Sequence, residues 1–133
     1  MTEPINATIA RLIRQANAAA ADGDYPAAQH LAREAVERSQ LFFHQPTRAA
    51  AHYTLATMLW SDETARAEEA QAHAATAAKL ARPHTDEYYM AITLLARIEA
   101  GLGHLERAQA LNENLLDIYQ RKNRPQGIAD VLR

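Results

Sequence analysis

The chain has 133 residues, 48% hydrophobic and 23% charged, with 14 basic against 16 acidic side chains. That is the size and make-up of one folded domain rather than of a disordered segment or two domains. A net charge of −2 with both signs interspersed offers no basic stripe for nucleic acid, and the lack of cysteine excludes disulfides, thiolate nucleophiles and cysteine-held metal centres.

The opening MTEPINATIARLI lacks a basic start followed by a long apolar core, and no stretch reaches the ~18 apolar residues of a membrane span. A cytoplasmic location and no membrane partner are therefore expected. Thr2 is placed to cap a first helix, with Glu3 and Pro4 in its first turn and Ile5, Ile9, Leu12, Ile13 and Ala16 at helical spacing. Asp22-Gly23-Asp24 ends that helix and starts a second. Gly23 can take the left-handed closing conformation, Asp24 can cap, and Pro26 fits the new first turn.

The second helix puts Ala28, Leu31, Ala32, Ala35 and Val36 on one face and frays near Leu41-Phe42-Phe43, before His44-Gln45-Pro46. A third helix is predicted over 47–60, broken by Ser61-Asp62-Glu63-Thr64, and a fourth over 65–81, closed by Pro83 and His84. Thr85, Asp86 and Glu87 make an acidic start for a fifth helix reaching Gly101. A sixth is predicted over 105–121. Asn123-Arg124-Pro125 is a further stop-and-start signal, and 126–133 reads as the first half of a seventh helix. No alternating strand pattern occurs, so the chain is expected to be all-α.

Self-similarity organises these helices. Leu55-Ala56 and Leu95-Ala96 lie on equivalent apolar stripes about 40 residues apart, and Gln15-Ala16 stands in the same place one period earlier. Each second helix carries a small residue near its start: Ala28, Ala70 and Ala108. A period of this size marks a stack of helical hairpins in which each unit buries its apolar face against its neighbours. Small residues are needed where paired helices cross closely.

With Gly23-Asp24-Tyr25-Pro26-Ala27-Ala28 at one turn and Gly103-His104-Leu105-Glu106-Arg107-Ala108 at another, the chain resembles the tetratricopeptide repeat family. The resemblance implies a right-handed superhelical array of three hairpins, over about 3–40, 47–81 and 85–121, plus a C-terminal partial helix over 126–133. It departs from the family pattern in having Ala16, Ala56 and Ala96 for the usual glycine of the first helix, and Ala32, Ala74 and Asn112 for the large aromatic of the second. The turn from Ser61 to Arg66 has no glycine, and the period exceeds the ~34 residues of the standard repeat. The long period looks more like variants found in bacterial regulators and some scaffold proteins. The stub reads as a short cap, a self-association edge or the continuation of a longer parent protein, and the apolar Ile128, Val131 and Leu132 favour the last two.

In the resembled family the first helices of successive hairpins line a groove. In register there are Ile13, Tyr53 and Thr93, then Asn17, Thr57 and Arg97, then Ala20, Trp60 and Ala100. Asn17, Tyr53, Thr57, Trp60 and Arg97 are the expected partner-binding residues: an aromatic platform flanked by an amide and a guanidinium, suited to a peptide. Set against this, Tyr53 and Trp60 also fit as core between hairpins, and Asn17 and Arg97 as solvated surface. A clamp for C-terminal carboxylates of the kind some repeat scaffolds use is not expected, because Ile13, Thr54, Met90 and Leu94 stand where it needs polar or basic groups.

No catalytic motif is present. His44 and His52 are eight apart across a proline, and Glu69 with His73, four apart on one helix, makes only half a metal site. Ser39 and Ser61 lie in no nucleophile elbow, and Gly101-Leu102-Gly103 follows no strand. Phe42-Phe43 is either tucked beneath the next hairpin or part of a contact surface. The expectation is a non-enzymatic scaffold without cofactor that binds a protein or peptide. The alternative is a sensor or oligomerisation module of a bacterial regulator that self-associates through the stub helix.

Overall fold

Apolar stripes at helical spacing become six helices in the computed structural model, which describes residues 3–61 and 66–121. They are α1 (Ile5–Ala21), α2 (Tyr25–Ser39), α3 (Gln45–Ser61), α4 (Ala67–Leu80), α5 (Asp86–Gly101) and α6 (Leu105–Arg121). Among the described residues there is no strand. The expected cap at Thr2, most of the break at 61–64 and the stub at 126–133 lie outside the described residues.

The turns show why the helices stop where they do. Gly23 has φ +80° and Gly103 φ +84°. At the first turn the Asp24 N–H donates to the Ala19 carbonyl at 2.9 Å and the Gly23 N–H to Ala20 at 3.0 Å. At the last turn His104 donates to Glu99 at 2.8 Å and Gly103 to Ala100 at 3.0 Å. Both turns therefore close by the same double hydrogen bond, which a left-handed glycine makes without steric cost. The following helices start on side-chain or backbone caps. Asp24 accepts from the Ala27 N–H at 3.2 Å, and Thr85 Oγ1 accepts from the Tyr88 N–H at 3.2 Å while donating to the Arg82 carbonyl at 2.7 Å.

Several boundaries move from their expected places, α4 running from Ala67 to Leu80 rather than over 65–81. Pro4 stands just outside α1 as its N-cap, and α3 starts at Gln45 rather than 47. Pro46 lies in the first turn of α3, where its missing N–H leaves no helical bond unmade. The α2–α3 turn also splits its aromatic pair. Phe42 packs against the core while Phe43 is 93% exposed.

Consecutive helices pack as antiparallel neighbours, and α3 also touches α1 and α5, so the odd-numbered helices lie side by side. Among the described residues α1 makes no contact with α4, α5 or α6, and the stack is open rather than closed on itself. The fold is thus α-helical and repeat-like. One apolar cluster runs from Ile9 and Leu12 through Leu55 and Leu59 to Ile98, and a second, Tyr89, Ile92, Leu115 and Ile118, fills the last hairpin.

Alanine dominates the helix crossings. Ala16, Ala28, Ala32, Ala56, Ala70 and Ala74 are all fully buried. With only a methyl group between the backbones, any enlargement must push helices apart. Ala28→Leu is therefore expected to lower unfolding stability by about 1–3 kcal/mol. Ala10→Leu, on the exposed face of α1, should change it by less than about 0.5 kcal/mol. Urea denaturation of both variants measures the contrast.

Candidate functional site

α3 and α5 leave a groove between their N-terminal halves. Alanines form its base: Ala49, Ala50, Ala77 and Ala91 line a cavity of about 320 Å³ whose walls are Tyr53, Thr54, Thr57 and Met90, with Asn17 and Glu87 at the rim. Beside it lies a second, more open hollow of about 520 Å³, lined by Tyr53, Asp86, Tyr89, Met90, Thr93, Leu94, Arg97 and Tyr119. Tyr53 and Met90 belong to both. The two hollows therefore adjoin at these two side chains and together make up the trough.

Four of the five expected residues lie along this trough. Asn17, Tyr53 and Thr57 line the first hollow, and Tyr53 and Arg97 the second. Trp60 lines neither. Its indole packs against the apolar cluster and over the α5 backbone at Gly101, where an added Cβ would fall within the van der Waals envelope of the ring. Thr54, Met90 and Leu94 line the trough, as their register as groove positions implied, whereas Glu87, Asp86, Tyr89 and Tyr119 are lining residues that register reasoning did not reach. The acidic start of α5 was legible, but its position at the rim depends on how α5 lies against α3.

The polar groups divide into satisfied and available. The Thr54, Thr57 and Thr93 hydroxyls donate to the carbonyls of Ala50, Tyr53 and Tyr89 at 2.8, 2.9 and 2.7 Å, each one turn back. Their hydrogens are spent within the helices. Asn17, Glu87 and Arg97 have no hydrogen-bond or ion-pair partner among the described residues. Hydrogen-bonding capacity toward a partner thus resides in these three side chains, while the alanines, the Tyr53 ring and Met90 offer mainly apolar contact.

The suspected metal pair is engaged otherwise. Glu69 accepts from Arg33 of α2, which holds its carboxyl below the usual range. His73 meets His52 across the α3–α4 interface with their Nδ1 atoms 2.9 Å apart and their rings stacked at 5.1 Å. Among the described residues no group of three or more His, Cys, Asp or Glu side chains is disposed to hold a metal. One imidazole of the pair must donate and the other accept, so at least one ring must be neutral, and two imidazolium rings facing each other would lose the bond and repel. Burial, together with His73 and Arg48 nearby, lowers His52 to about 4; burial also lowers His73, partly opposed by Glu69.

The sign of the pH effect follows. In the unfolded chain these imidazoles take up protons near 6.5, whereas the fold resists protonation, so the unfolded state binds more protons as acid is added. Melting temperature is expected to fall between about pH 6.5 and 4, and His52→Gln should flatten that slope. Differential scanning calorimetry at half-unit pH steps checks both. Since Trp60 is the sole tryptophan, Gly101→Ala should displace its ring toward water and red-shift the emission, whereas Gly103→Ala should leave the emission in place, having nothing within 4 Å of its Cβ position.

No family model, curated protein or solved structure matches this chain.

Proposed function

We propose that the protein is a non-enzymatic scaffold of tetratricopeptide-like hairpins that holds a partner polypeptide along its first-helix face, the trough between α3 and α5. The observation that carries this reading is that the two hollows adjoin at Tyr53 and Met90, since neighbouring hollows lined by both apolar and polar side chains suit an extended peptide. The equivalent closure of the first and last hairpin turns supports the tetratricopeptide-like reading of the array. Buried alanines where hairpin helices cross, at Ala28, Ala70 and Ala108, support it as well.

The trough is suited to holding rather than turning over its occupant. Tyr53 supplies rigid aromatic contact area at low entropic cost, and Met90, 50% exposed, has the unbranched thioether that adapts to different side chains. The helices beneath are locked by core packing, so the face is presented preorganised.

A substitution that fills the trough without entering the core tests the reading. Ala50 lines the first hollow and is only half-buried. The wild-type chain is expected to bind a subset of an array of synthetic decapeptides with micromolar affinity. Ala50→Trp should reduce that binding at least tenfold while circular dichroism and melting stay unchanged. An array with no bound peptide would remove the proposal, and so would Ala50→Trp binding as the wild type does.

A further inference from the structure

The trough has an electrical direction. Asp86 and Glu87 stand in the first turn of α5, and Arg97 lies toward its other end. Among the described residues Glu87 is the one charged group lining the alanine-floored hollow, while the second hollow reaches from Asp86 at the start of α5 to the Arg97 guanidinium. From Glu87 to Arg97 is ten residues of helix, about 15 Å at 1.5 Å per residue. Neither Glu87 nor Arg97 has an ion-pair partner among the described residues, although Glu69, Glu34, Glu3 and Asp117 are each paired with an arginine.

The alanine-floored hollow is the more specific of the two. Its lining of alanine methyl groups, the Tyr53 ring and Met90 is largely apolar, with the Glu87 carboxylate and the Asn17 amide as exposed polar members. A purely apolar side chain would fill the base but leave Glu87 and Asn17 unanswered at the rim. A long side chain with a methylene stem and a cationic head answers all of them: the stem lies on the alanines, the head stacks by Tyr53 and reaches Glu87. An acidic side chain is disfavoured there by like charge.

Resting on the proposed peptide-binding reading, we infer that the occupant is a peptide segment bearing a lysine or arginine in the alanine-floored hollow and an acidic residue four or five positions away against Arg97. The separation follows from the 15 Å span and about 3.3 Å per residue of extended chain. Tyr53 and Met90 cover the intervening residues, which need only be apolar or small. Polarity complementarity fixes the orientation: the basic end of the peptide sits over the start of α5 and the acidic end over its last turns.

A position-scanned library of fluorescein-labelled decapeptides, with Lys, Arg, Met, Asp, Glu or Gln fixed in turn at each position, tests this by fluorescence polarisation on the full chain. Wild-type protein is expected to bind peptides pairing Lys or Arg with Asp or Glu at that spacing at least tenfold more tightly than their Met or Gln counterparts. Glu87→Gln should erase the preference for the basic residue and keep that for the acidic one. Arg97→Gln should do the reverse. Peptides bound with no basic preference, or a preference unchanged in Glu87→Gln, would overturn the inference and leave the scaffold reading standing; no peptide bound at all removes both. Light scattering without peptide covers the remaining occupant. A dimer that dissociates in Glu87→Gln would assign the trough to a second copy of this chain and overturn the inference.

Discussion

Close approach of helix backbones over alanine methyl groups is the constraint on which the rest of the structure depends. Ala28 and Ala32 in α2, Ala70 and Ala74 in α4, and Ala16 and Ala56 in the first helices are fully buried. A methyl group lets two helices pack tightly but removes little apolar area from water compared with a leucine. The larger side chains Ile9, Leu55, Leu59, Ile98 and Leu115 therefore carry most of the hydrophobic stabilisation, while alanines set the geometry. The same choice opens the trough: Ala49, Ala50, Ala77 and Ala91 leave a hollow where bulkier residues would have closed it.

A smooth alanine surface is a poor determinant of register, because one methyl resembles the next. α4, with few side chains larger than alanine on its buried face, shows how the chain compensates. Three of its polar residues each reach a different helix: Glu69 to Arg33 of α2, His73 to His52 of α3, and Gln71 to Glu99 of α5. Glu99 is only 3% exposed and also accepts from His104 Nδ1 at 3.0 Å, tying α4 to the α5–α6 turn. Directional hydrogen bonds of this kind cost free energy when misaligned. They fix where α4 sits along its neighbours, and so where α3 and α5 stand relative to each other across it.

The groove residues were partly legible before the fold was known. Asn17, Tyr53, Thr57 and Arg97 could be aligned because a constant period puts equivalent positions of successive first helices side by side. Trp60 shared that periodicity, yet its ring lies over Gly101. A register argument places a Cα and says nothing of which way a large side chain turns at the end of its helix. The glycine that receives the indole reads in the sequence only as the end of the fifth helix. Phe42 and Phe43 likewise divide between core and solvent at a point where no helical period applies.

The sequence by itself determined the helices, their turns and their repetition, because these follow from local causes: apolar spacing, left-handed glycines at 23 and 103, and caps at Asp24 and Thr85. Only the tertiary structure decided that Glu69 and His73 are consumed by Arg33 and His52, and that Glu87 and Tyr119 line the trough. Those outcomes depend on the rotation and offset of one helix against another. Such angles are set by contacts between residues distant in the chain, which no local pattern records.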